Sequence, residues 1–280
     1  MMTNQEKKQL VERVKAKQER LGGLSNNATA KLMQVSGATL SKIMNGKWES
    51  ITDAWRKVAN WVGGEQWVDV PTGNGKRIHA MCSHAQALGI TKAVSFRQGS
   101  GKSHNAKTYA NSTPNVYYLE VEPHYTKKVF LQKLSIVMGL SPVGGISQLV
   151  DEIVERLNSL DNPLIILDEF DQLKDNVLVL FKTFYNKANT GIMLIGGLNF
   201  KKRIEKGANN AKQSFCEIHS RLGGEFLPMY EVEHSEIRAI CEANGVYSQK
   251  EIQTIIKECK RDLRTVRSKV EMLHLKRTTV

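Results

Sequence analysis

Apolar and polar positions along this chain follow two different periods, and the change from one to the other divides it. From Gln5 to Arg20, Leu10, Val11 and Val14 stand among mixed charges, a narrow stripe that predicts an amphipathic helix ended by Gly22-Gly23. Ser25-Asn26-Asn27 reads as a cap before a short helix, Ala28 to Gln34, with Ala28, Leu32 and Met33 as its apolar positions. A tight turn, Val35-Ser36-Gly37, follows, with Ser36 placed to cap a second helix from Ala38 to Met44 that Asn45-Gly46 stops. A third helix from Thr52 to Val62 carries Trp55, Val58 and Val62 on one side.

Beyond residue 76 the pattern alternates. A lead-in helix, Arg77 to Leu88, is followed by short unbroken apolar runs at Ala93–Phe96, Val116–Val121, Leu164–Leu167 and Ile192–Ile195, with a short fifth run at Glu225–Met229. Helical stretches separate them: Lys102 to Tyr109, the segment containing Val129, Leu131 and Leu134, Ile146 to Leu157, and Asn176 to Asn186. Strands that are apolar along their whole length are buried on both faces, and their alternation with helices predicts a parallel sheet of the α/β class. From Glu233 the pattern is helical again, over Ser235–Asn244, Ser248–Lys260 and Asp262–Leu275. The expected organisation is therefore an N-terminal helical arm (1–24), a small all-α domain (25–70), an α/β core (71–230) opening after the turn-rich Val70–Gly75, and a small helical lid (231–280).

The chain has 280 residues, 41% hydrophobic and 24% charged, as in an ordinary globular protein. No apolar run approaches the roughly 20 residues a membrane helix needs, and the first 20 residues are too charged for a signal peptide. The net charge of +12 is compatible with nucleic acid or another anionic surface without selecting one. Cys82, Cys216, Cys241 and Cys259 are scattered, with no CxxC pair, which reads as reduced thiols in a cytoplasmic protein with no membrane partner.

The chemistry concentrates at two strand ends. Gln98-Gly99-Ser100-Gly101-Lys102-Ser103 follows the strand Ala93–Phe96 and opens a helix. Glycines let such a loop turn its N–H groups onto a phosphate, Lys102 can reach the outer phosphates, and the Ser103 hydroxyl can ligate Mg²⁺. The positive end of the following helix faces the same anion. Phe96 stands where the pattern G-x-x-x-x-G-K-[ST] has its first glycine. The third strand ends in Asp168-Glu169, at the carboxyl edge where open α/β sheets build their sites. Paired with the glycine loop, these acids suit a nucleoside triphosphate with Mg²⁺, Asp168 holding the metal and Glu169 orienting or deprotonating water.

Two short helices joined by a glycine-containing turn form a helix-turn-helix arrangement. The string VSGATLSKIMNGKW (35–48) resembles the turn and recognition helix of the lambda-repressor/Cro family. That resemblance turns Leu40 and Ile43 to the core and Ser36, Thr39 and Lys42 to DNA; a small protein-binding bundle is the alternative.

The order of strand and P-loop, strand, strand and Asp-Glu, strand, arginine-containing segment and helical lid resembles the AAA+ ATPases. With the helix-turn-helix in front, nearly the whole chain is similar to the phage Mu B-like transposition proteins, ATP-dependent DNA-binding activators of a DDE transposase. The resemblance implies an AAA+ P-loop domain using ATP and Mg²⁺, with Gly99, Ser100, Gly101, Lys102 and Ser103 as Walker A and Asp168 and Glu169 as Walker B. It implies that Arg221, in HSRLGG, is an arginine finger reaching a neighbouring subunit, that Arg264, in RDLRTV, is the sensor 2 arginine, and that Asn199 serves as sensor 1, since Gly197 occupies the usual place. It also implies a homo-oligomeric helical filament on double-stranded DNA. The DNA contacts expected in the core are Tyr125, Thr126, Lys127 and Lys128 after the second strand and Lys201, Lys202 and Arg203 after the fourth. A helicase loader and a transcriptional regulator with a nucleotide switch are the two rival readings.

Overall fold

The computed structural model describes residues 4–20, 22–33, 35–48, 51, 54–62 and 67–279. Gln34 and Thr52, the expected end of one helix and start of another, lie outside the described residues. The chain divides into two units, one of residues 1–70, 238–255 and 267–280, the other of 71–237 and 256–266.

In the larger unit, strands β1 (Thr91–Ser95), β2 (Val116–Glu120), β3 (Leu164–Asp168) and β4 (Gly191–Gly196) form a parallel sheet in the order β1-β4-β3-β2. Its register sets Ala93 beside Leu194, Ile165 beside Ile192 and Glu120 beside Asp168. Successive side chains of a strand point to opposite faces, so the apolar strands divide between two cores. Ile165, Leu167, Ile192 and Leu194 enter one, while Leu164, Ile166, Met193 and Ile195 enter the other. Burial on both sides explains why β3 and β4 carry no polar alternation, and it confirms the α/β class expected from the sequence.

The residues 225–229, expected as a fifth strand, form none. The segment reaches β1 through the Leu227 N–H, which donates to the Ala93 carbonyl at 3.0 Å. Pro228 has no N–H to continue the ladder, and Gly223 and Gly224 before it take φ of +63° and +73°. The lead-in helix also starts earlier than expected. Helix α5 runs Gly73–Leu88, its first turn drawn from the stretch read as a turn. Thr72 caps it through Gly75 N–H at 3.0 Å, and Asn74 exchanges two hydrogen bonds with the Tyr230 backbone. These partners outweigh the breaker character of glycine and asparagine.

Helices α6 (Lys102–Ser112), α7 (Lys127–Val137), α8 (Ile146–Asn158) and α9 (Asp175–Lys187) alternate with the strands. After β4 come α10 (Phe200–Asn209) and α11 (Gln213–Arg221). Helices α12 (His234–Ala243), α13 (Gln249–Glu258) and α14 (Leu263–Thr279) each run across the division between the units.

In the smaller unit, α1 (Asn4–Arg20), α2 (Asn26–Met33), α3 (Gly37–Met44) and α4 (Ala54–Val62) share a core that includes Val14, Met33, Leu40, Ile43, Trp55 and Val58. Leu32, expected on the buried face of α2, is 56% exposed. Its place is taken by Thr29, whose hydroxyl accepts from Gln18 Nε2 at 2.9 Å.

Candidate functional site

Strand β1 passes into the glycine loop without a break at Phe96. The Phe96 N–H still bonds the Gly196 carbonyl at 3.3 Å, and its ring packs against the core shared by α5, β1 and α6. Phe96 has no positive φ, so this position places no demand that only glycine could meet. Glycine is needed further on, where Gly99 and Gly101 take φ of +73° and +88°. Gly101 caps α6 with no side chain, so the N–H groups that open this helix keep the orphan donors every helix start has.

Lys102 is 8% exposed and folds back over the loop, its ammonium donating to the Phe96 and Arg97 carbonyls at 2.8 Å each. Burial draws its pKa down, and the nearby Asp168 and Glu169 push the other way. A buried ammonium, glycines at the turn and an uncapped helix start form a cradle suited to phosphate oxygens.

Across from it, Asp168 ends β3 at 1% exposure. Oδ1 accepts from the Glu169 N–H at 2.9 Å and Oδ2 from the Tyr118 hydroxyl at 2.6 Å. Tyr118 lies beside Ile166, so its long side chain reaches one pleat along β3 to the acid. Burial and the Asp168 carboxylate raise the phenol's pKa, which keeps it protonated and donating. Glu169 sits in the left-handed region at φ +53°, rare for a residue with a Cβ, and burial with the neighbouring Asp168 and Asp171 raises its pKa. Asp171 is held in turn by the Gly197 N–H at 3.1 Å. A metal with a triphosphate fits these donors: Ser103 and Asp168 would hold it, and Glu169 would face the reacting water.

The segment before α14 closes on the loop. Leu263 N–H donates to the Gly99 carbonyl at 2.8 Å, and a Cβ on Gly99 would stand 2.2 Å from the Asp262 carboxylate. Arg97 of the loop pairs with Glu231 at 2.5 Å and reaches the Arg261 carbonyl at 3.4 Å. Asp262 caps the helix by accepting from Arg264 N–H at 2.8 Å, which sets Arg264 close enough to depress the Lys102 pKa.

Residues 97–204 match the family model of the AAA domain. No curated protein matches the chain. The matched stretch runs from the glycine loop through β2, β3 and β4 into α10, and this likeness to the AAA domain supports nucleotide binding and, in general terms, ATPase activity.

Within and beside the matched stretch, Gly99, Ser100, Gly101, Lys102, Ser103, Asp168, Glu169 and Arg264 lie around one cradle. The other residues singled out from the sequence lie elsewhere. Arg221, exposed at the end of α11, donates to Asn186 Oδ1 at 3.2 Å and lies 5.4 Å over the Tyr185 ring. Asn199 is exposed before α10 and lines a groove with Lys202 and Arg203. Tyr125 is 3% exposed and packs in the core, its hydroxyl on Glu122 at 3.4 Å, so the expectation that it touches DNA is withdrawn. Thr126 caps α7 through Val129 N–H at 3.3 Å, with Lys128 exposed beside it. Arg203 turns inward onto the Asp171 and Leu173 carbonyls and Asp175, which makes it a clamp within the domain.

In the smaller unit Ser36 caps α3 through Thr39 N–H at 3.0 Å, and Lys42 is exposed. The sequence reading missed Tyr118 and Arg97, and it read Asp262 as the cap of the last helix, which it is, without its place against Gly99. Tyr118 could have been found only from strand order, because nothing local in Val116–Glu120 marks β3 as its neighbour.

No disulfide joins Cys82, Cys216, Cys241 or Cys259, and burial pushes the Cys82 thiol up to about 12. Among the described residues no helix is long and apolar enough to cross a membrane.

Proposed function

We propose that the protein is a cytoplasmic, Mg²⁺-dependent ATPase that oligomerises on double-stranded DNA without sequence preference and recruits and stimulates a DDE transposase. The observation that carries the ATPase part is the pairing of the Lys102 cradle with the buried Asp168 and the adjacent Glu169 at the carboxyl edge of one parallel sheet. ATP and Mg²⁺ bound there supply the phosphoanhydride and its charge neutralisation. This chain's residues would do the rest: Lys102 and the loop N–H groups would hold the phosphates, Ser103 and Asp168 the metal, and Glu169 would orient or deprotonate water.

The DNA and transposase parts rest on the resemblance of the whole chain to the phage Mu B-like proteins, supported by the net charge of +12 and the exposed lysines after β2 and β4. Arg221 supports a shared site. Its guanidinium is exposed and, among the described residues, pairs with no carboxylate, which suits it to a phosphate of a neighbouring subunit. An arginine supplied in trans is worth on the order of 10³–10⁵ in rate in well-studied GTPases. The small helices α2 and α3 then serve as a helix-turn-helix, with Ser36, Thr39 and Lys42 toward DNA.

The test is ATP turnover and strand transfer by a DDE transposase, each with and without duplex DNA. Turnover that rises with DNA and vanishes in Lys102→Ala, with strand transfer that depends on both, is expected. Wild-type strand transfer in the Lys102→Ala protein would refute the proposal.

A further inference from the structure

Helices α10 and α11 enclose an open groove of ≈ 350 Å³ that is separate from the glycine loop in sequence and lining. It depends on Gly207, where a Cβ would stand 2.3 Å from the Phe215 ring, so a larger residue would force α11 away. Phe215 gives the groove an apolar wall, with the Arg203 guanidinium 5.6 Å and the Lys212 ammonium 5.5 Å from its ring centroid.

Charge in the groove is unbalanced. Asp175 is its one carboxylate and is already shared, taking Arg203 at 2.7 Å and Lys212 at 3.1 Å. The hydrogen bond from Arg203, followed by that from Lys212, holds the Asp175 carboxyl below the ordinary range. Lys202 and Lys206 also line the groove, and among the described residues neither meets a carboxylate. They stand four apart on α10, so their like charges face each other over one turn. Asn199 and Asn210 fall on the same stripe of the helix and bring amide donors.

We propose that this groove seats the phosphate backbone of duplex DNA, with Lys202 and Lys206 as the contacting cations and Arg203, Lys212 and Asp175 as its fixed wall. The inference rests on the DNA-binding reading above and gives it a place. Two unneutralised ammonium groups beside amide donors suit phosphate oxygens, and a groove that opens to solvent suits a polymer better than an enclosed small anion. Ammonium groups are point charges that hold backbone without reading bases, as sequence-independent binding requires. The assignment adds Lys206 to the contacts at 201–203 expected from the sequence. It also moves Arg203 from contact to scaffold, because its guanidinium already serves three acceptors.

The test uses the full chain with ATP and a mixed-sequence duplex, reading affinity by anisotropy across a salt series. The variants are the double substitution Lys202→Gln with Lys206→Gln and, as a control on exposed α9, Lys182→Gln. Each lost phosphate contact lowers the slope of log K against log salt by about 0.9. The double variant should therefore lose about 2 from the slope, equally on every sequence, and the control should lose nothing. An unchanged slope in the double variant, with wild type bound to duplex, overturns the groove and leaves DNA binding standing; a wild type that binds no duplex overturns both.

Lysine acetylation read by mass spectrometry separates the sources of phosphate. Duplex should protect Lys202 and Lys206, while protection by inorganic phosphate and not by duplex would overturn the assignment.

Discussion

The Tyr118 hydroxyl on β2 donates a 2.6 Å hydrogen bond to Oδ2 of Asp168 at the end of β3. With Oδ1 on the Glu169 N–H, this fixes the plane of the buried carboxylate before any cation arrives. A hydrogen bond to a charged group contributes about 1.5–3 kcal/mol. Tyr118→Phe should cost about that much in urea unfolding, and much less when Asp168 is already Asn. Equal losses in both backgrounds would mean that the two side chains are not coupled.

Glu169 is strained and holds its proton more tightly than a free glutamate. A general base works ionised, so the rate should fall as pH drops through a value above the usual ~4.3. Glu169→Gln should bind ATP and DNA, hydrolyse slowly, and lack that limb. Glu169→Gly should unfold at no lower urea concentration than wild type, because glycine takes φ +53° without the roughly 1–2 kcal/mol penalty a Cβ brings there. A clear loss of stability in Glu169→Gly would show that the conformation carries no strain.

Arg203 grips the Asp171 and Leu173 carbonyls and the Asp175 carboxylate, whereas Lys202 meets no acceptor among the described residues. Arg203→Ala should destabilise by about 2–3 kcal/mol, and Arg203→Lys should not restore it, since an ammonium lacks the planar fork. Lys202→Ala should stay within about 0.5 kcal/mol of wild type. Thermal unfolding of the three variants decides it.

What was legible in the chain and what was not follows from how local each signal is. β3 and β4 announced themselves because strands buried on both faces must be apolar throughout, and the loop at 98–103 because its turn needs glycines where they stand. Side-chain partners across the fold left no such trace. Tyr125 and Arg203 read as exposed contact residues from their polar neighbours, yet one fills the core and the other a clamp, because the apolar side chains that cover Tyr125 and the acceptors that claim Arg203 come from distant parts of the chain. Tyr118 became visible only with the sheet order. The fifth strand failed for a local reason, Pro228, that its apolar neighbours outweighed in the reading.

Arg221 is exposed and, among the described residues, its side chain has one hydrogen bond, to a neutral amide, so Arg221→Ala should leave stability within about 0.5 kcal/mol of wild type. Turnover should nonetheless collapse. Mixing Arg221→Ala with Glu169→Gln protomers should restore part of it, because mixed interfaces regain one intact site. No recovery at any mixing ratio would remove Arg221 from a neighbour's site.

The most direct measurement is a footprint on a long duplex with ATP, with ADP and without nucleotide, for wild type and Lys102→Ala. Protection that spreads without sequence preference, with ATP alone and in wild type alone, is the expected result. Protection confined to one short sequence whatever the nucleotide, or undiminished in Lys102→Ala, would contradict an ATP-built assembly on DNA.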